Sequence, residues 1–96
     1  MIIIKDLIII KDLIQHWTNE DILKFFDSVH TSLQFKTMLL TNDHGSNKNV
    51  NIQTGKYRRL NLDKEPLSTL RNKFLFKKVF NFNNVAGKTT FQVTKL

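Results

Sequence analysis

Residues Gly55–Thr69, GKYRRLNLDKEPLST, constrain the fold more than any other stretch of this chain. Lys56-Tyr57-Arg58-Arg59 runs into Leu60-Asn61-Leu62, and strand periodicity would put Arg58, Leu60 and Leu62 on one face and Tyr57, Arg59 and Asn61 on the other. A charged turn follows. Pro66 suits the first turn of a helix, with Leu67, Leu70 and Phe74 as an apolar stripe behind it. The stretch reads as a short strand delivered straight into a helix, with a basic cluster and one amphipathic tyrosine at the joint.

The chain has 96 residues, enough for one domain with a modest core, and its eight phenylalanines argue against disorder. It has no cysteine, which excludes disulfides and thiolate metal sites and suits a reducing intracellular compartment, cytoplasmic or nuclear. Charge is uneven. Residues 1–44 hold four lysines and six acids, net −2, whereas residues 45–96 hold eleven Lys/Arg and two acids, net +9. An electrostatic partner is therefore acidic: nucleic acid, anionic lipid or an acidic peptide.

Residues 2–13 are a tandem repeat, IIIKDL twice, with neither a helical nor a strand period. Four charges interrupt it, and a membrane span needs about 20 apolar residues. There is no basic leader and no small-residue cleavage site, which reads against a signal peptide. We read residues 1–17 as an apolar segment packed on a single domain of residues 18–96. Thr18-Asn19-Glu20-Asp21 looks like a helix start. Ile22, Phe25, Phe26, Val29 and Leu33 follow helical spacing, and the face continues towards Met38, Leu39 and Leu40, with Thr31-Ser32 as a breaking point. Residues 41–55 form a polar surface loop. Phe74–Phe82 is a second short helix or a continuation of the helix that starts at Pro66, Ala86-Gly87-Lys88 a turn, and Thr89–Val93 a closing strand with Phe91 and Val93 inward. The expected fold class is α+β, mostly helical, a small single domain with a short two-strand element.

No catalytic constellation stands out. The three histidines are fourteen residues apart, unlike zinc-ligand spacing, and His30 sits next to the apolar helix face as a core histidine. Gly87-Lys88-Thr89 resembles the end of a phosphate-binding loop, but Phe82 stands where its first glycine belongs and no helix fits behind it. The basic and aromatic mixture of residues 56–82 suits nucleic acid, with cations on phosphates and Tyr57 or a phenylalanine stacking a base.

Lys56-Tyr57-Arg58, the alternating Leu60 and Leu62, and Leu67-Ser68-Thr69 resemble the PUB domain of peptide:N-glycanase and related cofactors. Leu75-Phe76-Lys77-Lys78-Val79-Phe80 is similar to that family's L-F-x-x-G-F pattern without its glycine, and Gly87–Val93 to its closing strand. The similarity of order spans residues 19–95. No Asn-Pro precedes the strand, and Lys64 stands where the family carries asparagine. The resemblance implies a non-enzymatic module that binds the acidic, aromatic-containing C-terminal tail of the valosin-containing AAA ATPase. Lys56, Arg58, Arg59 and Lys64 would attract the acids of that tail, and Tyr57 would line a pocket for its aromatic. No catalytic residue, metal or cofactor is implied. A small basic nucleic-acid-binding protein is the alternative. His16-Trp17, Phe25–Val29 and Leu70-Arg71-Asn72-Lys73 also resemble pieces of the kinase-extension ribonuclease domain. Phe76 replaces the histidine of that family and only 23 residues follow Lys73, so a degenerate fragment is the most that reading supports.

Overall fold

In a computed structural model, described over residues 3–45, 48–82 and 87–96, the chain forms a four-stranded mixed sheet with one α-helix on one face. Ile2 of the repeat, Ser46-Asn47 of the polar loop and Ala86 of the last turn lie outside the described residues. Strand β1 is Ile3–Lys11, β2 Leu33–Asp43, β3 Phe74–Phe82 and β4 Lys88–Lys95; helix α1 is Asn19–Ser32. The strand order is β1-β2-β4-β3, with β1 parallel to β2 and the other two pairings antiparallel. Two short 3-10 helices, Ile14–His16 and Leu67–Asn72, complete the inner layer.

This corrects the expected fold class. The chain is not mostly helical: strands of 9, 11, 9 and 8 residues outweigh a single α-helix of 14. The helix itself starts where its cap residues place it. The Asp21 N–H donates to the Thr18 hydroxyl at 3.0 Å, and Glu20 and Asp21 sit at the positive end of the dipole. It ends at Ser32, where the Thr31 hydroxyl bonds back to the Asp27 carbonyl, and the chain passes directly into β2. Met38 and Leu40 therefore continue no helix. They stand in the centre of the sheet, between Ile8 and Ile10 of β1 and Val93 and Phe91 of β4. A parallel β1–β2 pair needs a crossover of a dozen residues or more, and α1 supplies it.

Residues 74–82 are likewise a strand and not a helix. Phe74 and Phe76 point inward and Leu75 and Lys77 outward, so the aromatic run packs at period two. The segment expected as a strand at 56–62 makes only a single bridge, Leu60 to His44. Arg58, Leu60 and Leu62 are buried as the alternation implies, but Asn61, expected on the opposite face, is buried as well.

The core lies between the sheet and the layer formed by α1, the long loop and the 67–72 helix. Ile14, Ile22, Phe26, Met38, Leu40, Leu60, Leu67 and Val93 have no exposed surface. Edge-to-face aromatic contacts thread it, from Trp17 to Phe25 (5.5 Å), to Phe26 (5.3 Å) and to Phe74 (5.5 Å). His30 is half-buried with its ring edge-on to Phe74 at 5.7 Å. No helix among the described residues is long and apolar enough to cross a membrane.

Candidate functional site

The five residues singled out by sequence do not form one surface. Arg58 is buried, 8 % exposed, and points inward. Its guanidinium donates to the carbonyls of Gln15 (3.0 Å), Val50 (3.1 Å) and Ile14 (3.5 Å), and to Asn19 Oδ1 (2.6 Å). None of these acceptors is charged. Two belong to the 14–16 helix: the Ile14 carbonyl also closes the turn with the Trp17 N–H, and the Gln15 carbonyl also accepts the Arg58 N–H. Burial pushes the guanidinium below its ordinary range, yet an arginine keeps its charge in a protein. Arg58 is thus a staple that ties the long loop to the start of α1.

A second staple organises the rest of the loop. Asn49 is buried, and its amide donates to the carbonyls of Asn61 (2.8 Å), Lys64 (2.9 Å) and Glu65 (3.2 Å), while its Oδ1 accepts from the Asn61 N–H (2.7 Å). The polar stretch expected as a surface loop has a polar core of its own. Lys56 and Lys64 do extend into solvent. Arg59 is exposed but runs along Gly45 and Gly87, where a Cβ on Gly87 would come within 2.7 Å of its guanidinium.

Tyr57 joins a polar cluster at the C-terminal ends of the two parallel strands. Its hydroxyl donates to Asp43 Oδ2 at 2.6 Å, and its ring lies 5.9 Å from that of His16. His16 Nδ1 faces the Lys56 carbonyl at 2.9 Å, and since a carbonyl only accepts, Nδ1 carries the proton. Lys88 bonds Asp12 and lies 3.5 Å from Asp43, so the Gly-Lys-Thr turn delivers its lysine to two carboxylates. Asp12 holds a left-handed φ of 54°, a conformation that costs free energy and is uncommon outside glycine, asparagine and aspartate. The hydrogen bond to Asp12 raises the Lys88 pKa, and burial followed by the Asp43 hydrogen bond raises that of the Tyr57 phenol. Both groups are held in their protonated forms, which cannot serve as base or nucleophile near neutral pH. The cluster ties β1, β2, β4 and the 55–60 segment together. Among the described residues no three His, Asp or Glu side chains come together to hold a metal ion.

The surface left available is the sheet face opposite α1. A row of Ile9, Leu39, Gln92 and Lys77 crosses all four strands, flanked by Leu7 and Thr37 on one side of the sheet and Leu75 and Thr94 on the other. Ile9 is 66 % exposed, Leu75 55 % and Leu7 52 %, so no described element covers this face. Lys11 and Lys77 are exposed on it. Its described carboxylates are Asp43 and Asp12 at the top end, both engaged by Lys88, with Tyr57 also on Asp43. The readable signal for this surface is the alternation of aliphatic residues and lysine in both edge strands, once those segments are recognised as strands. A groove of about 460 Å³ lies on the other side of the molecule between α1 and the 67–72 helix, floored by Leu23, Phe26, Leu70 and Phe74. Its rim charges are paired internally, Lys24 with Glu20 and Lys73 with Asp27.

No protein-family model, no curated protein and no solved structure matches the chain.

Proposed function

We propose that this chain is a non-enzymatic protein-interaction module whose docking surface is the open face of the sheet, and that its partner is a segment rich in acidic and aliphatic residues. The uncovered face carries the reading: three exposed aliphatic side chains stand beside lysines, and the carboxylates described on that face are paired with Lys88. Aliphatic side chains offer contact area to a protein segment and give a nucleobase little to stack on. The lysines favour an acidic partner over a second copy of a chain whose net charge is +7. The acidic partner implied by the PUB resemblance remains the class of ligand, but Arg58 and Tyr57 are engaged within the fold, which moves the surface to the sheet. The absence of cysteine makes a reducing, intracellular setting the one we propose.

Calorimetric titration with two peptides tests this: one of alternating glutamate and leucine, and one with acidic residues around an aromatic. Binding at low salt that is lost in Leu39→Glu and in Leu75→Glu supports the reading. Binding unaffected by both substitutions contradicts it. So does tight, steeply salt-dependent binding of single-stranded RNA with indifference to the peptides.

A further inference from the structure

A shallow cavity of about 400 Å³ opens beside α1, lined by Trp17, Asp21, Lys24, Phe25, Ser28 and Thr54. Asp21, Phe25 and Ser28 follow i, i+4, i+7 spacing, which stacks them on one side of the helix. Trp17 and Thr54 complete the lining. The Trp17 N–H closes the 14–16 turn on the Ile14 carbonyl at 3.1 Å. The Gly55 N–H donates to the His16 carbonyl at 2.8 Å, which pins the 54–55 turn beside Trp17. The Trp17 and Phe25 rings are both half-buried, with centroids 5.5 Å apart and planes 73° apart, so together they form a corner. Phe25 is held in turn against Phe26 at 5.3 Å.

Charge and ring chemistry together select a ligand. The Asp21 N–H caps on Thr18, but its carboxylate makes no hydrogen bond or ion pair among the described residues. Lys24 is taken up by Glu20 at 2.8 Å. Glu20, Asp21 and Lys24 sum to −1, so this end of α1 is acidic in a chain that is basic overall. Aromatic faces attract a cation that lies within about 6 Å of the ring centroid. A primary ammonium is a compact, strongly hydrated charge and parts with its water reluctantly at so open a site. A trimethylammonium group spreads its charge over methyl groups that also pack on rings as apolar groups do. We propose that this corner binds the trimethylammonium head of a small molecule of the choline type. The rings of Trp17 and Phe25 face its methyl groups, and the Asp21 carboxylate is its counter-ion. The site belongs to the helical layer, on the other side of the sheet from the docking face, so the two readings stand or fall in separate experiments.

Trp17 is the only tryptophan of the chain, so its fluorescence reports on this site alone. Titration with choline is expected to change that fluorescence and to saturate at millimolar concentration, with the choline methyl protons moved upfield by the ring currents. The uncharged tert-butyl analogue of choline, of the same shape, should bind about fivefold more weakly or worse. Asp21→Asn and Phe25→Leu should each weaken choline about threefold or more while circular dichroism remains that of the folded chain. Equal binding of choline and its tert-butyl analogue overturns the proposal, as does a titration that shows no saturation by about 100 mM choline. Undiminished affinity in either variant overturns it too, and so does binding of a trimethyllysine peptide with indifference to choline. Phe25→Leu removes a ring that packs on Phe26; should that variant fail to fold, Asp21→Asn, at an exposed position, and the uncharged analogue decide.

Discussion

Replacing Arg58 by alanine removes the donors that four acceptors share, and the structure lets the cost be worked through. The bond to the Gln15 carbonyl is buried, but that oxygen also accepts the Arg58 backbone N–H at 3.3 Å, which alanine keeps, so losing the guanidinium there costs about 0.5–1.5 kcal/mol. The Ile14 contact, at 3.5 Å, is at the limit of a hydrogen bond and adds little. The bonds to Val50 and Asn19 are partly buried, so water replaces them in part, at about 0.5–1.5 kcal/mol each. The sum is about 3 kcal/mol, with about 5 as an upper bound once the lost packing of the side-chain stem is included. A domain of this size has about 5–14 kcal/mol of total stability. The loss should lower the melting temperature by about 12–24 °C. Urea denaturation followed by Trp17 fluorescence is the assay, with Lys56→Ala and Lys64→Ala as surface controls expected within about 0.5 kcal/mol of wild type. Arg58→Lys should recover only part of the loss, because an ammonium cannot reproduce the guanidinium fork. If Arg58→Ala is as mild as the lysine controls, Arg58 is not the staple described above and the basic segment is a surface after all.

Asn49→Ala should cost about 2–3 kcal/mol in the same denaturation assay, since it leaves the buried Asn61 N–H without its acceptor and the Glu65 carbonyl without its donor, while the Asn61 and Lys64 carbonyls keep the N–H groups of Lys64 and Ser68. Asn42 is buried with its Oδ1 unpartnered, so Asn42→Leu should leave stability unchanged or raise it by about 1 kcal/mol, read as an unchanged or higher urea midpoint. The raised pKa of the Tyr57 phenol makes a signed prediction. A group that holds its proton more tightly when folded contributes stability below its ordinary pKa, here 10.0, and loses it as pH rises through the folded value. Wild type should therefore lose more stability than Tyr57→Phe between pH 9.5 and strongly alkaline solution, by urea midpoints at each pH. On the docking face, Lys77→Glu should weaken an acidic peptide about threefold at low salt, and the difference should shrink at high salt, by calorimetry.

Helix α1 and strand β4 are legible in the sequence because their signals are local. Thr18, Glu20 and Asp21 announce the helix start, and Thr89–Val93 alternates cleanly, with Phe91 and Val93 buried as expected. β1, β2 and β3 are not legible in this way. Each carries apolar residues on both faces: Ile8 and Ile10 inward with Leu7 and Ile9 outward, Met38 and Leu40 inward with Leu39 outward, Phe74 and Phe76 inward with Leu75 outward. Such runs lack a clean strand alternation, so periodicity alone does not tell strand from helix in them. What settles them is pairing with segments up to 55 residues away, about which a local window is silent. The role of Arg58 is hidden for another reason. An arginine that stitches backbone carbonyls together has the same sequence appearance as one that waits for a ligand, because carbonyl acceptors carry no residue identity.

The docking face is tested most directly by mapping the amide resonances that an acidic, aliphatic peptide perturbs. The account predicts shifts at Ile9, Leu39, Leu75, Lys77 and Gln92, with Arg58 and Asn49 undisturbed. Shifts confined to Lys56–Lys64, with the sheet face silent, would contradict it.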